Sequence, residues 1–205
     1  MSRFSEYDDY EGEADQILAM GRWEHNARVA LKGKRGRKLL AELREALLAL
    51  PERRLIASAL CTAGAEKRKA GILEEEDRGW QGLAPEWRPD KPWRDESEAF
   101  AAVVKRQGEG VCAIGAWLWY RQVKAGADPA AAFDSLPLVF DGQEGCGDGL
   151  SDTADYAKRA GATFTLAWEL AYRNDETFRD KTPEERWEAF VAWIDAELGV
   201  QAVAS

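Results

Sequence analysis

Leucine recurs at positions 39, 40, 43, 47 and 50, at spacings of three and four, while Glu42, Arg44 and Glu45 fall on other faces. That is the pattern of an amphipathic helix, and Pro51 closes it. A second stripe runs through Trp187, Phe190, Val191, Ile194 and Leu198. Its start is Thr182-Pro183-Glu184-Glu185, a capping box with proline at the first helical position, and Gly199 ends it. Weaker stripes predict more helices. Ile17, Leu18, Trp23, Val29 and Leu31 share a side over 15–31, with Asp15 as cap, and Gly33 and Gly36 interrupt the pattern beyond. Val111–Lys124 is apolar enough for a buried helix closing at Gly126, and Asp128-Pro129 opens a short one through Phe133. A helix from Ser151 or Asp152 ends near Gly161. Thr163–Arg173 follows, with Phe164, Leu166, Ala167, Leu170 and Ala171 facing inward. Leu136–Phe140 reads as extended, 141–150 as a loop, and Leu55–Cys61 as a helical turn or a buried strand that periodicity does not separate.

Residues 62–110 have a different texture. Pro85, Pro89 and Pro92, six glycines, and Trp80, Trp87 and Trp93 make an irregular insertion, relieved by a short helix over Ser97–Arg106 with Phe100, Val103 and Val104 on one face. The expected architecture is mainly α: an acidic arm over 1–14, then a single compact multi-helix domain over 15–205, interrupted by the Trp/Pro-rich insertion 62–110.

Composition narrows the chemistry. The 205 residues are 45% hydrophobic and 32% charged, with net charge −9, which suits a folded globular chain. There is no apolar run of bilayer length, and Met1–Glu13 has no apolar core of a secretory signal, so cytoplasmic residence is expected. Cys61, Cys112 and Cys146 are odd in number and far apart, which favours reduced, buried thiols. The one histidine, His25, reads as a polar residue on the first helix; no metal site, cofactor or His-based triad is expected around it. Adjacent Glu24 cannot face His25 on a helix. The loop 141–152 has Gly145 and Cys146 where a calcium loop needs a ligand and a glycine.

Charge is distributed unevenly. Residues 32–54 hold eight bases against three acids, and 111–205 hold eight against sixteen. In Lys32-Gly33-Lys34-Arg35-Gly36-Arg37-Lys38, bases crowd the start of the leucine helix, so Lys32, Lys34, Arg35, Arg37 and Lys38 are candidate ligands for an anion or nucleic acid. The Gly-Lys-Ser/Thr ending of a nucleotide-hydrolysing loop is missing. Trp80, Trp87, Arg88, Trp93 and Arg94 form the second candidate, since tryptophan and arginine anchor protein interfaces. Arg173–Thr177 reads as a helix end rather than a site. A small-ligand pocket lined by Trp117, Trp168 and carboxylates from different helices is a third, minor possibility.

Ser2–Asp9, Leu31–Lys38 running on through Leu50–Ile56, Gly110–Ala116, Leu166–Leu170 with Asn174-Asp175-Glu176, and Thr182–Trp187 together resemble a family of small uncharacterised proteins of tailed bacteriophages and prophages. Residues 62–109 lie outside the resemblance. It implies a phage-encoded protein acting in a bacterial cytoplasm, and brings no catalytic residue with it. The expectation is a non-enzymatic interaction protein, neither membrane-bound nor cofactor-dependent, that binds and modulates a host or phage protein, for instance by inhibiting a host defence system. The alternative is a nucleic-acid-associated regulator working through Lys32–Lys38.

Overall fold

The computed structural model describes residues 13–57, 59–67, 70, 94–137, 157, 158 and 160–200. The architecture is mainly helical, with no strand among the described residues. No described helix is long and apolar enough to cross a membrane.

Helices α1 (Glu13–Lys32) and α2 (Lys34–Ala49) meet at Gly33, whose extended backbone (φ −66°, ψ 159°) turns the chain. Gly36, one turn into α2, makes the elbow possible. A Cβ there would stand 2.0 Å from the carbonyl oxygen of Ala30, inside any tolerable contact. Gly33 thus breaks the α1 pattern as expected, while Gly36, inside α2, lets that helix pack close against α1. The leucine stripe is buried as expected, and α2 packs on α1, on α4 (Ala113–Lys124) and on α7 (Pro183–Leu198). Around this centre stand α3 (Arg94–Gln107), α5 (Pro129–Asp134) and α6 (Phe164–Tyr172), with α6 against α1 and α4.

Local capping chemistry sets the helix starts. Thr182 accepts the Glu185 amide (3.2 Å) and the Glu185 carboxylate accepts the Thr182 amide (2.9 Å), completing the box that opens α7. Gly199 takes the left-handed conformation that ends it (φ 71°). Asp128 Oδ1 accepts two amides at the start of α5, each at 3.0 Å. Helix α4 begins two residues later than its apolar run suggests. Val111 is held in an antiparallel bridge with Cys61, and Cys112 becomes the cap, its sulfur accepting the Gly115 amide at 3.4 Å. The described residues of 55–61 form neither a helical turn nor a full strand; Ile56 and Leu60 bond to the backbone of Val111 and Cys112, and Cys61 bridges Val111. Elsewhere α1 starts at Glu13, inside the expected arm, and α3 begins three residues before the expected Ser97. The leucine-rich core continues through Phe190, Ile194, Trp119 and Leu170.

Three buried polar side chains lock these elements together. Arg186, 1% exposed, donates to the carbonyls of Leu55 (2.8 Å) and Lys181 (3.0 Å) and to Gln107 Oε1 (2.9 Å). Gln107 Oε1 also accepts the Ala57 amide at 3.0 Å. Asn174 donates to the Ile56 carbonyl (2.8 Å) and accepts the Ala113 amide (3.2 Å). Asn174 reaches both because α6 runs into a π-helical turn, Arg173–Thr177, where a plain helix end is expected. Burial disfavours the charged form of Arg186 and pushes its pKa down.

Candidate functional site

The α1–α2 elbow places Lys34, Arg35 and Lys38 along one wall of a cavity of about 540 Å³. Helix α4 supplies Trp117 and Arg121, the approach to α6 supplies Ala160–Thr163, and α1 supplies Val29. Concave sites that enclose small ligands have volumes of about 300–1,000 Å³, so the cavity is large enough for one. Its charged lining is four bases against one carboxylate, Glu42.

These bases are not equivalent. Arg121 lies over the Trp117 ring, its guanidinium carbon 5.1 Å from the centroid, donates to the Ala160 carbonyl, and has Glu42 Oε1 3.9 Å from its Nε. Trp117 is 2% exposed and donates its indole N–H to Glu42 Oε2 at 3.1 Å. Glu42, Trp117 and Arg121 therefore form a fixed back wall. Lys34, Arg35 and Lys38 are exposed and have no hydrogen-bond or ion-pair partner among the described residues. They stand at the amino end of α2, where the helix dipole is positive and Gly33 offers no capping side chain.

The other two bases of that segment go elsewhere. Arg37 donates to the Leu198 carbonyl at the end of α7 (3.1 Å), and Lys32 is not in the cavity wall. Lys34, Arg35 and Lys38 are thus brought together, whereas Lys32 and Arg37 are not. Trp80, Trp87, Arg88 and Trp93 lie outside the described residues, and so does the side chain of Arg94, the first residue of α3.

Two residues of the predicted apolar stripes are not in the core. Val29 is 57% exposed and lines the cavity; Phe164, expected to face inward, is 40% exposed at the first position of α6. The ammonium of Lys158 sits 5.8 Å from the Phe164 ring centroid. Sequence reasoning also passed over Arg121. Its spacing of four from Trp117 on a helix was the available signal.

Among the described residues, Trp168 lines neither the cavity of Trp117 nor a second, carboxylate-lined one: it packs edge-on against Trp23 (5.5 Å) and stacks on Tyr172 (6.1 Å). Carboxylates do converge in a separate cavity of about 310 Å³, where Glu24, Glu169 and Glu197 meet Arg28 and Arg173. There Glu169 accepts from Arg173 at 2.7 Å, and that guanidinium lies 4.3 Å from the Trp193 centroid. Cys61 and Cys112 are buried and not disulfide-bonded, and burial pushes the Cys112 thiol up to about 12, which favours its protonated form. Cys146 lies outside the described residues. His25 is exposed on α1. Among the described residues no group of three His, Cys, Asp or Glu side chains could hold a metal. Comparison with protein-family models, with curated proteins and with solved structures gives no match to this chain.

Proposed function

We propose that this is a non-catalytic binding protein whose cationic cavity holds the phosphates of a nucleic acid. The observation that carries the reading is the contrast within α2. Five bases lie on that helix; Arg37 and Arg44 are engaged by α7, Arg44 through Asp195, while Lys34, Arg35 and Lys38 converge on a cavity with no described partner. Three like charges at the positive end of a helix repel one another, and a polyanion relieves all three at once.

The test is the salt dependence of binding to a fluorescein-labelled oligonucleotide. Three phosphate contacts give a slope of log K against log salt of about −2 for a single strand. K34A/R35A/K38A flattens that slope, and R37A, whose side chain points to α7, keeps it. A slope unchanged by the triple substitution would overturn the assignment. Modulation of a host or phage protein, in a phage context, is a separate proposal resting on Trp80, Trp87, Arg88, Trp93 and Arg94. Its test is affinity capture from infected cells by the whole chain and by a chain shortened over 62–109; loss of one specific protein on shortening supports it.

A further inference from the structure

We infer that Glu42 makes this site prefer RNA to DNA, its carboxylate accepting the hydrogen bond of a ribose 2′-hydroxyl; this rests on the nucleic-acid reading above. Among the described residues Glu42 is the one carboxylate in a cavity wall that otherwise presents four bases. Beside a bare phosphate it is a liability, because it repels the anion that Lys34, Arg35 and Lys38 attract. A hydroxyl next to the phosphate turns the same carboxylate into a partner.

The hydrogen bonding of Glu42 is half used. Oε2 accepts the Trp117 indole N–H at 3.1 Å. Oε1 has the Arg121 Nε at 3.9 Å, an ion pair too long for a hydrogen bond. Lys38, one helical turn before Glu42 on α2, makes no ion pair with it. Oε1 therefore accepts no hydrogen bond among the described residues, although the Glu42 side chain is only 27% exposed. Trp117 and Arg121 hold the carboxylate in place, so binding a donor costs little further ordering.

Position decides which donor arrives. Lys34, Lys38 and Glu42 recur every fourth residue on α2 and form one row, with about 6 Å of rise between neighbours. A phosphate held by the two lysines lies one turn from the acceptor. In RNA a 2′-hydroxyl stands on the sugar beside every phosphate, so the donor comes with the anion whatever the base. DNA carries no group there and brings its phosphates to Glu42 without a donor. Base amines depend on sequence and accompany only some of the phosphates.

The experiment measures anisotropy of one labelled single-stranded sequence, free of uracil and thymine, as RNA, as DNA and as 2′-O-methyl RNA at low salt. The full chain is compared with E42Q and K34A/R35A/K38A, with thermal melts confirming that each folds. The wild type binds RNA about tenfold tighter than DNA. It binds 2′-O-methyl RNA, which keeps the ribose ring but lacks the donor, no tighter than DNA. In E42Q the amide oxygen stays on the Trp117 N–H and the NH₂ group replaces the free acceptor, so DNA binds more tightly and the RNA preference falls to about twofold or less. Equal affinity of the wild type for RNA and DNA overturns the inference, as does an RNA preference that survives E42Q or a 2′-O-methyl RNA that binds as tightly as RNA. In each of those cases the phosphate reading survives if the triple variant flattens the salt slope. A folded wild type that binds none of the three at low salt overturns both.

Discussion

Replacing Lys34, Arg35 and Lys38 together by glutamine should make the ligand-free protein more stable while removing its binding. Lys34 and Arg35 occupy the first turn of α2, where a cation opposes the helix dipole by about 0.3–1 kcal/mol each. Lys34 and Lys38 are four apart and Arg35 and Lys38 three apart, and like-charge pairs at those spacings cost about 0.2–0.5 kcal/mol each. With all three exposed and partly screened, the net gain on neutralisation is about 1 kcal/mol at low ionic strength. Urea unfolding followed by circular dichroism reads this as an upward midpoint shift of about 0.5 M for a slope near 2 kcal/mol/M. The gain should shrink as sodium chloride rises. R37Q supplies the control for the change in net charge, and it should lose stability because Arg37 bonds to the Leu198 carbonyl. A triple variant less stable than the wild type at low salt would refute the reasoning, since it would show that the three cations have stabilising partners in the folded chain.

Other substitutions probe the scaffold. R186M should cost about 3–5 kcal/mol in urea unfolding, because it leaves the Leu55 and Lys181 carbonyls and one contact of Gln107 without their donor; a loss under about 1 kcal/mol would show that those acceptors do not depend on it. G36A forces apart α1 and α2 and should lose about 2–3 kcal/mol while opening the cavity, read by unfolding and by weakened oligonucleotide binding. Glu185 is held below its ordinary pKa by the Thr182 amide, and Glu45 by hydrogen bonds from Tyr120 and then Lys124. A carboxylate with a depressed folded pKa contributes stability above its unfolded pKa and loses it as the pH falls through the folded one. An acid titration of wild type against E45Q/E185Q, whose stability should fall less steeply below pH 4.5, checks this.

What the sequence made legible was local. The capping box of α7, the Asp128 cap and the leucine stripe of α2 act within a few residues, and each forms where its pattern lies. The basic segment was visible too, but the division of its charges was not. Whether Arg37 turns toward α7 or toward the cavity depends on a helix about 160 positions away. Arg186 shows the same limit: one residue before Trp187 on an amphipathic helix, it reads as surface, and its burial is set by Leu55, Gln107 and Lys181, which no periodicity links. The π turn at Arg173–Thr177 places Asn174 between Ile56 and Ala113, a tertiary arrangement with no local signature. Phe164 fits the spacing of the inward face, yet at the first position of α6 it is 40% exposed beside Lys158.

The charge of the whole chain then limits what the cavity can do. At net −9, most of the surface repels a polyanion, and the C-terminal half repels it most. A protein that coats nucleic acid spreads its bases; here three partnerless ones, among the described residues, line one concavity, so the proposed contact would be confined to a few nucleotides. On that proposal the footprint would have a shallow salt slope and modest affinity. The proposed contact therefore depends on Lys34, Arg35 and Lys38, which have no partner among the described residues, and K34A/R35A/K38A should abolish it.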